Sequence, residues 1–149
     1  MTEFTIDNLR YCITSDFDMT VEVIGVENKQ ILNHANIPNK VKYCNMEYSV
    51  TSIEYGAFEG CSGLTSVTIP NSVTSIGEKA FDGCTGELTV NCNIPSASSY
   101  EAVAFYGNKF TSEYGAFYGS KFTSVIIGNS VTSIGSYAFF GCSCLTNVT

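Results

Sequence analysis

The run Leu64-Thr65-Ser66-Val67-Thr68-Ile69-Pro70-Asn71-Ser72-Val73-Thr74-Ser75-Ile76-Gly77-Glu78-Lys79-Ala80-Phe81-Asp82-Gly83-Cys84 changes its apolar rhythm twice before it closes. Val67 and Ile69 alternate with Ser66 and Thr68, so on a strand the two apolar side chains face one way and the hydroxyls the other. Pro70-Asn71 supplies turn-forming residues. Val73 and Ile76 then recur three apart, a spacing that returns apolar side chains to the interior from a second, tighter flank. Ala80 and Phe81 fill the far end. One such run buries a single apolar stripe and is unstable alone. Stacked copies set Val on Val, Ile on Ile and Phe on Phe, and share stability between neighbours.

Copies are present on both sides. Ser72-Val73-Thr74-Ser75-Ile76 repeats Ser49-Val50-Thr51-Ser52-Ile53 and returns as Ser130-Val131-Thr132-Ser133-Ile134. Each leads into an Ala-Phe-x-Gly-Cys box: Ala57 to Cys61, Ala80 to Cys84 and Ala138 to Cys142. Self-similarity at a fixed period of this length is the mark of a solenoid.

The unit resembles the BspA-like, or Treponema pallidum type, leucine-rich repeat family, whose pattern runs L-x-x-[LIV]-x-[LIV]-P, V-x-x-I-G and A-F-x-x-C. Residues 49 to 95 and 122 to 146 carry it most closely. The first 48 residues look like the opening segment of that family, with Asp7-Asn8 between Phe4-Thr5-Ile6 and Leu9-Arg10-Tyr11, then Met19-Thr20-Val21-Glu22-Val23 and Ile37-Pro38. Read physically, these are alternating strands around an Asp-Asn turn, as a β-rich cap over a first coil requires. The expected fold is a leucine-rich-repeat solenoid, β-rich with short helical or turn segments. It is divided into an N-terminal capping segment, 1 to 48, and about four coils, 49 to 149.

Two places break the pattern. Glu101 to Ser112 is followed by Glu113 to Ser124, identical at nine of twelve positions, a duplication of half a coil at 101 to 124. Phe105 and Phe117 then compete for one slot, and Phe117, 22 residues before Phe139, is the expected occupant. At the carboxy end Leu145-Thr146-Asn147-Val148-Thr149 begins a strand and stops. An uncapped coil of that kind exposes a strand edge and invites end-to-end self-association.

Composition narrows the function. The formal charge is −7, with seven Lys and Arg scattered over the chain, so no cationic footprint for phosphates exists and nucleic acid is a poor partner. No apolar run is long enough to insert into a membrane, and Met1 to Arg10 does not read as a signal peptide. The 32 Ser and Thr suit an extended, hydrogen-bonding surface.

Reactive groups are better explained by structure. Cys61, Cys84 and Cys142 share one repeat position and read as stacked core residues. Cys142-Ser143-Cys144 lacks the second ligand pair of a zinc site, and Cys12, Cys44 and Cys92 follow no pattern. His34, between Asn33 and Ala35 among turn formers, reads as a surface-loop residue without a nucleophile tied to it. Asp16-Phe17-Asp18 lacks the further ligands of a calcium loop. Gly56, Gly77 and Gly135 read as turn residues, without the Lys and Ser or Thr of a nucleotide loop. Tyr106, Tyr114, Tyr118 and Tyr137 are candidates for exposure.

A non-enzymatic binding module follows, with no cofactor and no metal. Its candidate binding face comprises Thr65, Ser66 and Thr68 on one coil and Thr123, Ser124 and Ile126 on a later one. The resemblance implies a cell-surface or secreted protein that adheres through a protein or glycan ligand. The alternative is a structural spacer within a longer repeat protein.

Overall fold

The computed structural model describes residues 1–94, 117–135 and 138–149. Strands dominate them. β1 (Glu3–Ile6) and β2 (Leu9–Ser15) form a hairpin, and β2 pairs antiparallel with β3 (Thr20–Val26). Asp7 and Asn8 close the hairpin with φ of 49° and 69°, the left-handed pair that a two-residue turn demands. A single 3-10 turn, Lys29–Ile31, leads to β4 (His34–Asn36). β5 (Lys40–Tyr43) then pairs antiparallel with β6 (Met46–Ile53), which also lies parallel to β3.

From β6 onward the pairing is parallel. β7 (Ser66–Ile69), β9 (Thr85–Val90), β10 (Lys121–Ile127) and β11 (Asn147–Val148) join β4 in a five-stranded sheet of order β11-β10-β9-β7-β4. The short β8 (Ser75–Ile76) lies instead beside β6, setting Ile76 against Ile53. Ile94 pairs in the same way with Ile134. The chain therefore alternates between a wide parallel sheet and a narrow flank, as the change of period at Pro70 requires.

The interior is a set of columns. Ala35, Val67, Leu88 and Val125 are register partners on adjacent strands and all are buried, as are Ile69 and Val90 in the next row. Phe58, Phe81, Phe117 and Phe139 stack in one file, with centroids 5.0, 5.7 and 5.2 Å apart and planes within 27° of parallel. Phe117 thus sits between Phe81 and Phe139, while Phe105 and the rest of the duplicated segment before Phe117 lie outside the described residues. Stacked aromatic neighbours contribute beyond the area they bury, roughly 0.5–1.5 kcal/mol per pair.

The cysteine column continues through a residue of another kind. Cys61 and Cys84 are fully buried and Cys142 half-buried, but the third position is Ser120, the one buried polar side chain among the described residues. Cys84 Sγ donates to the Phe58 carbonyl at 3.0 Å and Cys142 Sγ to the Phe117 carbonyl at 3.1 Å. A thiol here packs as a small apolar group and still satisfies a carbonyl on the neighbouring coil.

Glycine serves two purposes. Gly60, Gly83, Gly119 and Gly141, each between the phenylalanine and the cysteine or serine, have φ between +73° and +77°, where a Cβ is strained. Gly77 differs from the expected turn glycine: it directly follows β8, and a Cβ there would meet the backbone of Glu54 and Tyr55. Close approach of neighbouring backbones explains it.

Candidate functional site

The outward face of the five-stranded sheet is ruled by its register. One row runs His34, Ser66, Glu87, Ser124 and Asn147 across five strands, and the next runs Asn36, Thr68, Thr89 and Ile126. Four of the six residues expected on the face therefore fall into two aligned rows: Ser66 with Ser124, and Thr68 with Ile126. Ile126 is 37% exposed and is the apolar member. Thr65 and Thr123 are exposed but do not continue each other. Gly86 lies on the strand between them, and the pairing slips between Phe122 and Ser124, leaving Thr123 as the extra residue of a bulge.

Residues that sequence spacing did not single out complete the face. β9 carries Glu87 and Thr89 between the two expected clusters, and Ser124 Oγ donates to Glu87 Oε2 at 3.3 Å. The strand was hard to read because Gly86 and Glu87 interrupt the Ser/Thr pattern, although Leu88 and Val90 keep the period of two. His34 belongs to β4 rather than to a loop, exposed, with Nδ1 2.8 Å from Ser66 Oγ and 3.2 Å from Thr65 Oγ1. The Asn and His around it suggested a turn, whereas the buried Ala35 and Ile37 set its face.

A histidine beside a serine raises the question of hydrolysis. The order of the groups argues against it. Ser66 stands between His34 and Glu87, so this carboxylate neighbours the serine rather than the imidazole it would have to orient. Ladder pairing on both sides of β7 also engages the backbone amides that would stabilise an oxyanion. The enclosed thiols are no better placed. Burial pushes the Cys92 thiol up to about 11. Cys84 is pushed up by its contact with Cys61 and by burial, while Cys61, lowered by that same contact, is fully enclosed. An enclosed thiol without access is inert.

Of the remaining expected residues, Asp16 accepts a hydrogen bond from the Tyr48 hydroxyl at 3.0 Å, and Asp18 and Ser15 bond to each other around the exposed turn. Tyr118 is half-buried and stacks on Phe140 at 6.2 Å. Tyr106, Tyr114 and Tyr137 lie outside the described residues. Among the described residues no three His, Cys, Asp or Glu converge as metal ligands. No helix there is long and apolar enough to cross a membrane.

Comparison with known proteins agrees with this geometry. A leucine-rich repeat protein from Bacteroides ovatus is 33% identical over 98% of this chain and 40% of its own length, with a TM-score of 0.59. The chain thus spans well under half of that relative. A leucine-rich repeat protein from Bacteroides capillosus, 23% identical over 99% of this chain and 97% of its own, has a TM-score of 0.60. The leucine-rich repeat protein of T. pallidum, 21% identical over 99% and 71%, has a TM-score of 0.53. These last two share the fold. No curated protein matches. The description BspA type leucine rich repeat region fits residues 29–114 and 111–149. With that match over most of its length, and with the alternating sheet, flank and phenylalanine file in place, the chain belongs to the BspA-type leucine-rich repeat family.

Proposed function

We propose that the chain is a recognition module that binds a protein or glycan partner through the outward face of its five-stranded sheet, at the cell surface or after secretion. The observation that carries this reading is the pair of aligned rows, His34-Ser66-Glu87-Ser124-Asn147 and Asn36-Thr68-Thr89-Ile126. They form a continuous band of hydrogen-bonding groups with one acidic and one apolar position, on a scaffold whose columns fix their spacing. Repeat folds of this family serve as interaction scaffolds rather than enzymes, and adhesion is the family's implied role. In this reading residues 1–48 cap about four coils. Self-association through the edge strand β11, where Val148 is 56% exposed, belongs to the same proposal.

An array of extracellular-matrix proteins and glycans, probed with the chain and with a variant carrying Ala at Thr65, Ser66, Thr68, Thr123 and Ser124, tests the assignment. Binding by the chain that falls at least tenfold in the variant supports it. Binding unchanged by the substitutions removes the face. No binding at all favours the spacer, for which the 40% span of the Bacteroides ovatus relative leaves room.

A further inference from the structure

Beside the sheet face, where the strands end and the chain turns, lies a groove of about 580 Å³. Its lining includes Asn36, Asn39, Asn71, Asn91, Asn129 and Ser130. Four of these amides follow successive strands: Asn39 follows β4, Asn71 β7, Asn91 β9 and Asn129 β10, so the groove carries one carboxamide per neighbouring strand. At the usual strand spacing of about 4.8 Å the file spans roughly 14 Å. The volume falls in the range of small-ligand sites, roughly 300–1,000 Å³.

We infer that this groove, which shares Asn36 and Thr68 with the edge of the proposed face, binds a neutral, linear oligosaccharide; the inference rests on the recognition role proposed above and names a ligand class for its edge. Three observations carry it. First, the carboxamides are available. Asparagine in a turn ordinarily bonds back to nearby backbone, but the side chains of Asn36, Asn39, Asn71 and Asn129 make no hydrogen bond to any described residue. Asn91 is engaged through its backbone, the amide donating to the Ile69 carbonyl at 3.0 Å and the carbonyl accepting from the Ser130 hydroxyl.

Second, the lining is chemically selective. It contains amides, hydroxyls, Ile37 and two prolines, Pro38 and Pro70, and no charged side chain. A carboxamide both donates and accepts, which matches sugar hydroxyls, while the half-exposed Pro38 ring offers C–H surface for the apolar face of a sugar ring. An anionic ligand would find no cation in this lining, and a cationic one no carboxylate.

Third, the carboxamides stand on four neighbouring strands across roughly 14 Å, a span that admits several sugar rings in a row rather than a single one.

The experiment is a titration of the isotopically labelled full chain with cellohexaose, β-1,4-mannohexaose, xylohexaose and chitohexaose, read by NMR on side-chain amides. At least one of the four is expected to shift the carboxamide signals of Asn39, Asn71, Asn91 and Asn129 together and saturably. Asn71→Ala with Asn91→Ala should weaken that binding at least tenfold while the backbone spectrum stays that of the parent. Asn129→Ala alone, on an exposed turn, provides a second variant should the double one unfold. Failure of all four sugars overturns the inference. So does an extended Gly-Ser dodecapeptide that shifts these amides when the sugars do not. A sugar that shifts only Ser66, Glu87 and Ser124, and loses affinity on their substitution, also overturns the groove but leaves the sheet-face proposal standing. Partner binding unchanged by the sheet-face substitutions, with the groove titration intact, removes that proposal alone.

Discussion

At the residue scale, backbone conformation and burial decide which side chains are exchangeable. Gly83 holds φ +76° in a turn whose phenylalanine and cysteine neighbours are both buried, so the turn cannot relax without moving the core. Gly83→Ala should cost about 1–2 kcal/mol, the usual penalty of a left-handed L-residue, read as a lowered urea midpoint. Lys79 holds φ +53° where the preceding box has Gly56, so the fold tolerates one such residue. Burial of thiols and a phenol also fixes a pH dependence. Cys92 rises from 9.0 to about 11 and Tyr11 from 10.0 to about 12, both mainly through burial. A folded value above the unfolded one means the native state holds the proton more tightly. Its stability is complete below pH 9 and falls as pH rises toward 11 and beyond. Cys92→Val should flatten that loss, measured as urea midpoints at pH 8 and 10.5. Asn8 shows how a turn residue acquires a second task. Asn-Gly would suit the hairpin at least as well, yet the Asn8 carboxamide both donates to the Asn28 carbonyl at 2.8 Å and accepts from the Asn28 amide at 2.7 Å. The hairpin was legible in Asp7-Asn8; the clamp to Asn28, 20 residues away, was not.

At the scale of elements, coils are legible where their spacing is regular and obscure where it changes. Phe58, Phe81, Phe117 and Phe139 fall at intervals of 23, 36 and 22 residues, and the middle interval contains the duplication. In the regular coils seven residues separate Ile69 from Ile76 and Ile127 from Ile134, but only four separate Val90 from Ile94. Asn93 bridges that shortening: its Oδ1 accepts from the Thr132 and Ser133 amides, a role that the Thr51 carbonyl plays for Thr74 in the regular coil. No periodicity announces such a substitution of side chain for backbone. The phenylalanine file carries its own prediction. Phe81 is fully buried and touches Phe58, Phe117 and Phe122, whereas Phe139 ends the file half-exposed. Phe81→Ala should cost about 3–5 kcal/mol and Phe139→Ala clearly less, compared by denaturant unfolding. Equal costs would show that the column does not share stability between its neighbours.

At the scale of the molecule, stacking creates both the surface and its vulnerability. The same register that buries Val67, Leu88 and Val125 in one row lines up Ser66, Glu87 and Ser124 on the other side, so the core fixes the spacing of the proposed contacts. Half of that face was legible from Ser and Thr at alternate positions; His34, Glu87 and Thr89 needed the strand order to join them. β11 ends the sheet with Val148 exposed. Val148→Lys should reduce concentration-dependent self-association in sedimentation velocity, because a charge on an open edge opposes strand addition. The most direct test of the proposed recognition face is a binding titration on immobilised extracellular-matrix proteins with three chains. These are the parent, a variant with Ala at Ser66, Glu87 and Ser124, and a variant with Ala at Glu22, Ser52 and Ser75, a corresponding row on the other sheet. Binding at least tenfold weaker in the first variant and unchanged in the second is the expected result. Equal loss in both, or loss only in the second, would contradict a recognition face on the five-stranded sheet.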